Sequence, residues 1–309
     1  MAPSSAKTAK MASASPTATT PTEVHVTSIP DVCLAFSSGH KIFANVAVLR
    51  NASPVFRAMP GPYFQEGQSI INNPTKVQDI SLPEDNPQAM LTVARLLHHH
   101  CRDVELDGQL EAESIFNMAV LADKYDVCHV VKSSFPTFVS LDKITPTDMW
   151  YLLSAAHIVG HRDIFKKVSA KLVLEHSKPY MGLLKLKKTC RESDLWLVTL
   201  LEARRAWLKC KISTDIIYNY DEIKSHLERL SPEGDMISNA ARIGYRNSLE
   251  TTLETLQDAI DAQPPLKLTV NIEDSMKELK DKIAEGICFD CVGTTEMNSE
   301  HSGKKKKTT

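Results

Sequence analysis

The chain has 309 residues, 42% of them hydrophobic, enough for one or two domains at roughly 100–200 residues each. Its 36 Lys and Arg nearly balance 38 Asp and Glu, for a formal charge of −2, so no global field gathers nucleic acid or an anionic membrane and neither is expected as a partner. No apolar run reaches the ~18 residues of a membrane span, because the densest stretch, Trp150 to Val159, is short and carries Ser154 and His157.

Residues 1–22 are low in complexity and rich in Ser, Thr and Ala, with no acid before Glu23. Lys7 and Lys10 are their only bases, and Pro3, Pro16 and Pro21 would interrupt a helix. This composition suits a disordered tail better than a mitochondrial transit peptide, and no secretory apolar core is present. The pattern Val24, Val26 could form a strand. Asp31 to Phe36 reads as a strand, Ser37-Ser-Gly-His40 as a turn and Lys41 to Ala44 as the returning strand of a hairpin. Asn45 then caps a short helix through Leu49, and Ser53-Pro54 starts another over Val55 to Met59.

Residues 60–79 read as a loop, and Val77 to Leu82 as a third short strand. Asn86-Pro87 opens an amphipathic helix with Met90, Val93, Ala94 and Leu97 at i, i+3, i+4 and i+7, and Ile115, Met118, Ala119 and Ala122 repeat that spacing. Strands followed by short helices indicate an α+β fold. Thr145-Pro-Thr-Asp148 is a helix start with an apolar stripe of Met149, Leu152, Leu153 and Ala156. A further helix is expected to bury Trp196, Leu200, Ala203 and Trp207, with Glu202, Arg204, Arg205 and Lys209 mostly on other faces. Leu249, Leu253, Leu256 and Ile260 mark another, ended by Gln263-Pro-Pro265. The closing residues, with Lys304 to Lys307, read as a disordered tail; a nuclear import signal is the lesser alternative, since no second basic cluster accompanies the four charges.

Taken in order, Asp31-Val-Cys-Leu-Ala-Phe, Val48 to Phe56, Phe64-Gln-Glu-Gly67, Ile80-Ser-Leu-Pro-Glu-Asp85 and Leu121-Ala-Asp-Lys-Tyr125 resemble a BTB/POZ domain of the type common in filamentous fungi. The resemblance implies a BTB/POZ domain, a small mixed sheet flanked by helices, over 29–136, preceded by residues 1–28, which the composition makes a disordered tail. An all-helical extension then covers 137–263, and a C-terminal segment with a cysteine pair and a lysine-rich disordered tail covers 264–309. The family commonly has His where Asn45 stands; Asn is as good a cap, so the fold survives the change.

Catalytic signatures are missing from the sequence. It has no G-x-G or G-K-[ST] phosphate loop and no G-x-S-x-G elbow, and His161-Arg-Asp163 lacks the Asn that a kinase loop places five residues on, where Val168 stands. His98-His-His100, followed by Cys101, reads as a polar helix end, since consecutive helical side chains point about 100° apart and cannot all face one ion. Cys288-Phe-Asp-Cys291 could be half of a zinc site, but no second pair follows; packing thiols are the favoured reading, with zinc and redox chemistry as alternatives. A late cysteine pair also belongs to the chains it resembles. The seven cysteines, an odd and scattered set, suit reduced thiols in cytoplasm or nucleus.

No cofactor and no enzymatic activity are expected. The resemblance implies binding to other proteins, as a BTB-mediated scaffold or regulator, or alternatively as a substrate adaptor for a cullin-based ubiquitin ligase. The apolar-x-Glu element used at the cullin face is out of register at Leu110-Glu-Ala-Glu113. Homodimers of the family commonly use an extra N-terminal helix that residues 1–30 do not show; a homodimer, if formed, would bury an interface above about 1,000 Å².

Overall fold

The computed structural model describes residues 22–59, 77–100, 110–185, 191–227, 254, 272–287 and 289. The loop at 60–76, the helix expected around Leu249 to Ile260, Gln263 to Pro265, and the tail with Lys304 to Lys307 lie outside the described residues, as do Phe64 to Gly67, Cys101, Cys288 and Cys291.

The fold is α+β. β1 (Glu23–His25), β2 (Val32–Ala35), β3 (Lys41–Ala44) and β4 (Gln78–Ser81) form one four-stranded sheet in the order β1-β3-β2-β4. β2 and β3 are the expected antiparallel hairpin, turned at Gly39, whose φ of 82° suits a residue without Cβ. β4 lies parallel to β2 on one side, and β1 parallel to β3 on the other. The tail expected over 1–28 is therefore too long: Glu23 to His25 belong to the sheet, Val26 is buried, and His25 stacks on Phe43 at 4.4 Å. The Val24, Val26 alternation carried that signal.

α1 (Val46–Ala52) and α2 (Pro54–Ala58) follow β3, and Ser53 serves both. Its backbone N–H closes α1 on Leu49, while its Oγ accepts from the Phe56 N–H at 3.0 Å to open α2. Asn45 caps α1 by accepting from Ala47 and Val48, and Asp31 accepts from Val46 at 2.6 Å. The helix runs three residues beyond the expected Leu49. α3 (Pro87–Leu97) is capped by Asn86, and α4 (Ala112–Lys124) buries Ile115, Met118, Ala119 and Ala122 as their spacing predicts. α5 (Cys128–Phe138) carries Pro136 within it.

α6 (Pro146–Ile158) opens with a capping box, in which Thr145 accepts from the Asp148 N–H and Asp148 from the Thr145 N–H. It is buried on all sides from Met149 to Ala156, so its four-residue stripe understates its burial: α6 lies between α4 and α7 (Arg162–Glu175). The α4–α6 contact is the most extensive between any two elements, and sheet and helices share a single apolar core. Among the described residues the packing thus runs on from α4 into α6.

α8 (Met181–Leu184) leads to the long α9 (Glu192–Leu227), and α10 (Ile272–Ala284) packs on α7 and α9. The stripe on α9 is displaced from the expected one. Asp194, Leu197, Val198, Leu201 and Leu208 are buried, while Ala203 is exposed and Trp196, Leu200 and Trp207 are only partly covered. One residue is about 100° around a helix, and that rotation also brings Arg204 and Arg205 inward.

Candidate functional site

Three of the five ordered motifs meet at Tyr125. This residue is fully buried at the end of α4, stacked on Phe56 at 4.5 Å with the rings 9° from parallel. Its carbonyl accepts from Ser53 Oγ at 2.5 Å, and its hydroxyl donates to Asp85 Oδ2. The other carboxylate oxygen of Asp85 is 2.6 Å from Lys124 Nζ. The Asp85 side chain is only 6% exposed, so two donors stand where water would otherwise solvate its charge. Burial first, then Asp85, pushes the Tyr125 hydroxyl well above its usual range and keeps it a donor. Val48 to Phe56, Ile80 to Asp85 and Leu121 to Tyr125 are thus tied together chiefly by structure. Asp123 and Lys124, readable as solvated helix charges, both have partners, with Asp123 3.3 Å from Arg191.

Tyr125 also begins a helix stop. Asp126 takes the left-handed conformation (φ 54°), and the N–H groups of Asp126 and Val127 return to Asp123 and Ala122. The histidine run has the same geometry. His99 has φ 61°, and His99 and His100 return to Leu96 and Arg95. His98, half-buried, sits 2.7 Å from the Ala94 carbonyl through Nδ1 and accepts the Asn45 N–H at Nε2 (3.1 Å). Both ring nitrogens are therefore engaged by backbone, Nδ1 as the donor and Nε2 as the acceptor, and the one lone pair is taken.

The inward arginines of α9 form a second polar cluster. Arg205 donates to the carbonyls of His176 (3.3 Å) and Lys178 (2.7 Å), lies 4.4 Å above the Tyr180 ring and pairs with Glu202 at 2.5 Å. Glu202 in turn accepts from the Tyr180 N–H at 2.8 Å. Arg204 donates to the Lys282 carbonyl at 2.5 Å, one of the carbonyls a helix end leaves open, and so ties α10 to α9. His161 caps α7 through the Ile164 N–H (3.4 Å), and Arg162 lies 5.1 Å above the Phe289 ring, so His161-Arg-Asp163 begins a helix.

Beyond α10 the chain grips α7. Gly286 has φ 62°, and a Cβ there would lie 2.4 Å from Ser169 Oγ and 2.5 Å from the Lys166 carbonyl. Ser169 Oγ accepts the Ile287 N–H at 3.0 Å, and Phe289 meets Phe165 edge-on at 5.1 Å. The segment set apart at 264–309 is thus joined to the helical body over 272–289. Cys288 and Cys291, the zinc half-site candidate, lie outside the described residues, and among the described residues no group of three or more His, Cys, Asp or Glu is placed to hold a metal. Cys33 is buried and Cys128 half-buried, and each thiol is pushed up to about 11 by burial first and then by nearby carboxylates.

The Tyr125–Asp85 tie, the inward arginines and Gly286 escape sequence reading. The tie joins residues 40 apart in the chain, and the arginines follow from the phase of α9. Gly286 alone had a local signal, a glycine just after a charged amphipathic segment. Among the described residues no helix is long and apolar enough to cross a membrane. No protein-family model matches the chain, and no curated protein matches it significantly.

Proposed function

We propose that the chain is a non-enzymatic protein-interaction module of the BTB/POZ type, fused to a helical extension and acting as a scaffold or regulator. The observation that carries this reading is the convergence on Tyr125 of three segments recognised by their order in the sequence, inside a small mixed sheet flanked by helices. The two main polar clusters, around Asp85 and Arg205, are occupied in holding elements together, which suits a rigid binding body better than a reaction centre.

Recovery of partners of the tagged full-length protein from its own cells tests the reading. The companion variant is Glu111→Lys with Glu113→Lys, two exposed residues at the start of α4 that leave the core intact. The scaffold reading expects regulators or a second copy of the chain among the partners. A cullin recovered by the natural chain and lost with the variant would instead make it an adaptor. A strict monomer without any stable partner would sink the interaction reading.

A further inference from the structure

The Asn45 N–H is held from outside its own helix, by His98 Nε2 at 3.1 Å, while Nδ1 of the same ring is 2.7 Å from the Ala94 carbonyl. One arrangement satisfies both contacts. The neutral ring carries its proton on Nδ1, donates it to Ala94, and leaves the Nε2 lone pair to accept. A second proton can go only onto Nε2, where it would point at the Asn45 N–H. We propose that His98 is a proton-operated latch, holding the start of α1 to the end of α3 while neutral and releasing it when the ring becomes a cation.

The surroundings set the working range. Burial is the largest influence and favours the neutral ring, opposed by the Ala94 carbonyl. His100 and His99, on the same turn, also disfavour the cation. Asp31, just before β2, favours it more weakly, and its Oδ1 already holds the Val46 N–H at 2.6 Å. The ring therefore titrates below its ordinary 6.5, so the latch is closed at neutral pH and opens on acidification. Among the described residues no other acceptor holds the Asn45 N–H, although the Asn45 side chain still caps α1. Release therefore frees the Asn45 N–H at the junction of β3 and α1, while the Val46, Ala47 and Val48 N–H groups keep their own acceptors.

Amide hydrogen exchange of the full-length protein at pH 7.5 and 5.5, corrected for intrinsic rates, tests this with two variants. His98→Gln places an uncharged acceptor near the Nε2 position, and His98→Ala removes it. Protection of the Asn45 amide in the natural chain should fall about tenfold on acidification. It should stay constant in His98→Gln and be low at both pH values in His98→Ala. An NMR titration should show the His98 ring and the Asn45 amide moving together below pH 6.5. The latch is overturned if protection changes less than about twofold while the ring titrates, or if His98→Gln loses it equally. Should His98→Ala fail to fold, the natural chain against His98→Gln decides.

Discussion

Tyr125→Phe is the most discriminating single change. Phe keeps the ring stacked on Phe56 and leaves the backbone carbonyl that Ser53 holds, so one contact goes: the hydroxyl donated to Asp85. A hydrogen bond to a charged group contributes about 1.5–3 kcal/mol when its acceptor is buried. The Asp85 side chain is 6% exposed, but Lys124, itself half exposed, stays beside it and offsets part of the loss. We expect about 2 kcal/mol of destabilisation, or a Tm lower by roughly 4–8 °C in a body of this size. Urea unfolding measures it, and the Asp85→Asn and double variants should show coupling of about 1 kcal/mol or more. Tyr125→Phe within about 0.5 kcal/mol of the natural chain would refute the clasp. Unchanged stability with lost partner binding would instead make this motif a contact surface.

Gly286→Ala should be among the most damaging changes near the C-terminus. The left-handed conformation costs Ala about 1–2 kcal/mol, and a Cβ 2.5 Å from the Lys166 carbonyl would push Ile287 off α7, for about 2–4 kcal/mol in all by urea unfolding. Gly182→Ala, in α8 with nothing within 4 Å of the added carbon, is the contrasting control and should stabilise by up to about 1 kcal/mol. His99→Gly should stabilise by about 0.5–1 kcal/mol in thermal melts, because an exposed side chain now occupies a left-handed position. Burial lowers both His98 and His176 below 6.5, so the unfolded chain binds more protons than the folded one on the acid side. Stability should therefore rise with pH through the range below 6.5 and level off above it, a slope that His176→Gln should reduce in melts from pH 5 to 8. An alkylating reagent at neutral pH should modify exposed Cys210 well before buried Cys33 and half-buried Cys128, read by peptide mass, because the latter two are less accessible and poorly ionised.

Local chemistry was readable wherever the signal lay within a few residues. Asn45, Ser53, Asn86 and Thr145 cap the helices their side chains predict, and Val32 to Ala44 fold into the hairpin that Gly39 turns. The misses on α6 and α9 share a cause, since they depend on what a face meets. α9 carries apolar residues on two adjacent faces, so its pattern did not reveal that Leu197, Leu201 and Leu208 turn inward, with Arg204 and Arg205 beside them. α6 was read as one-sided because its stripe ignores Trp150, Tyr151 and Ala155, buried on the remaining faces. Of the candidate site, the segments were legible as a series, but their union at Tyr125 needs contacts across 40 and 72 positions that no periodicity encodes.

The continuity of packing from α4 into α6 bears on how binding is assayed. A bait ended at residue 136 is a cut through a core. It would bare the side of α4 that α6 covers, and with it buried Ile115, Met118 and Ala119 would be less securely held. Such a surface adheres to almost anything apolar, so a two-hybrid screen with that fragment would return a crowd of partners that the intact chain never meets.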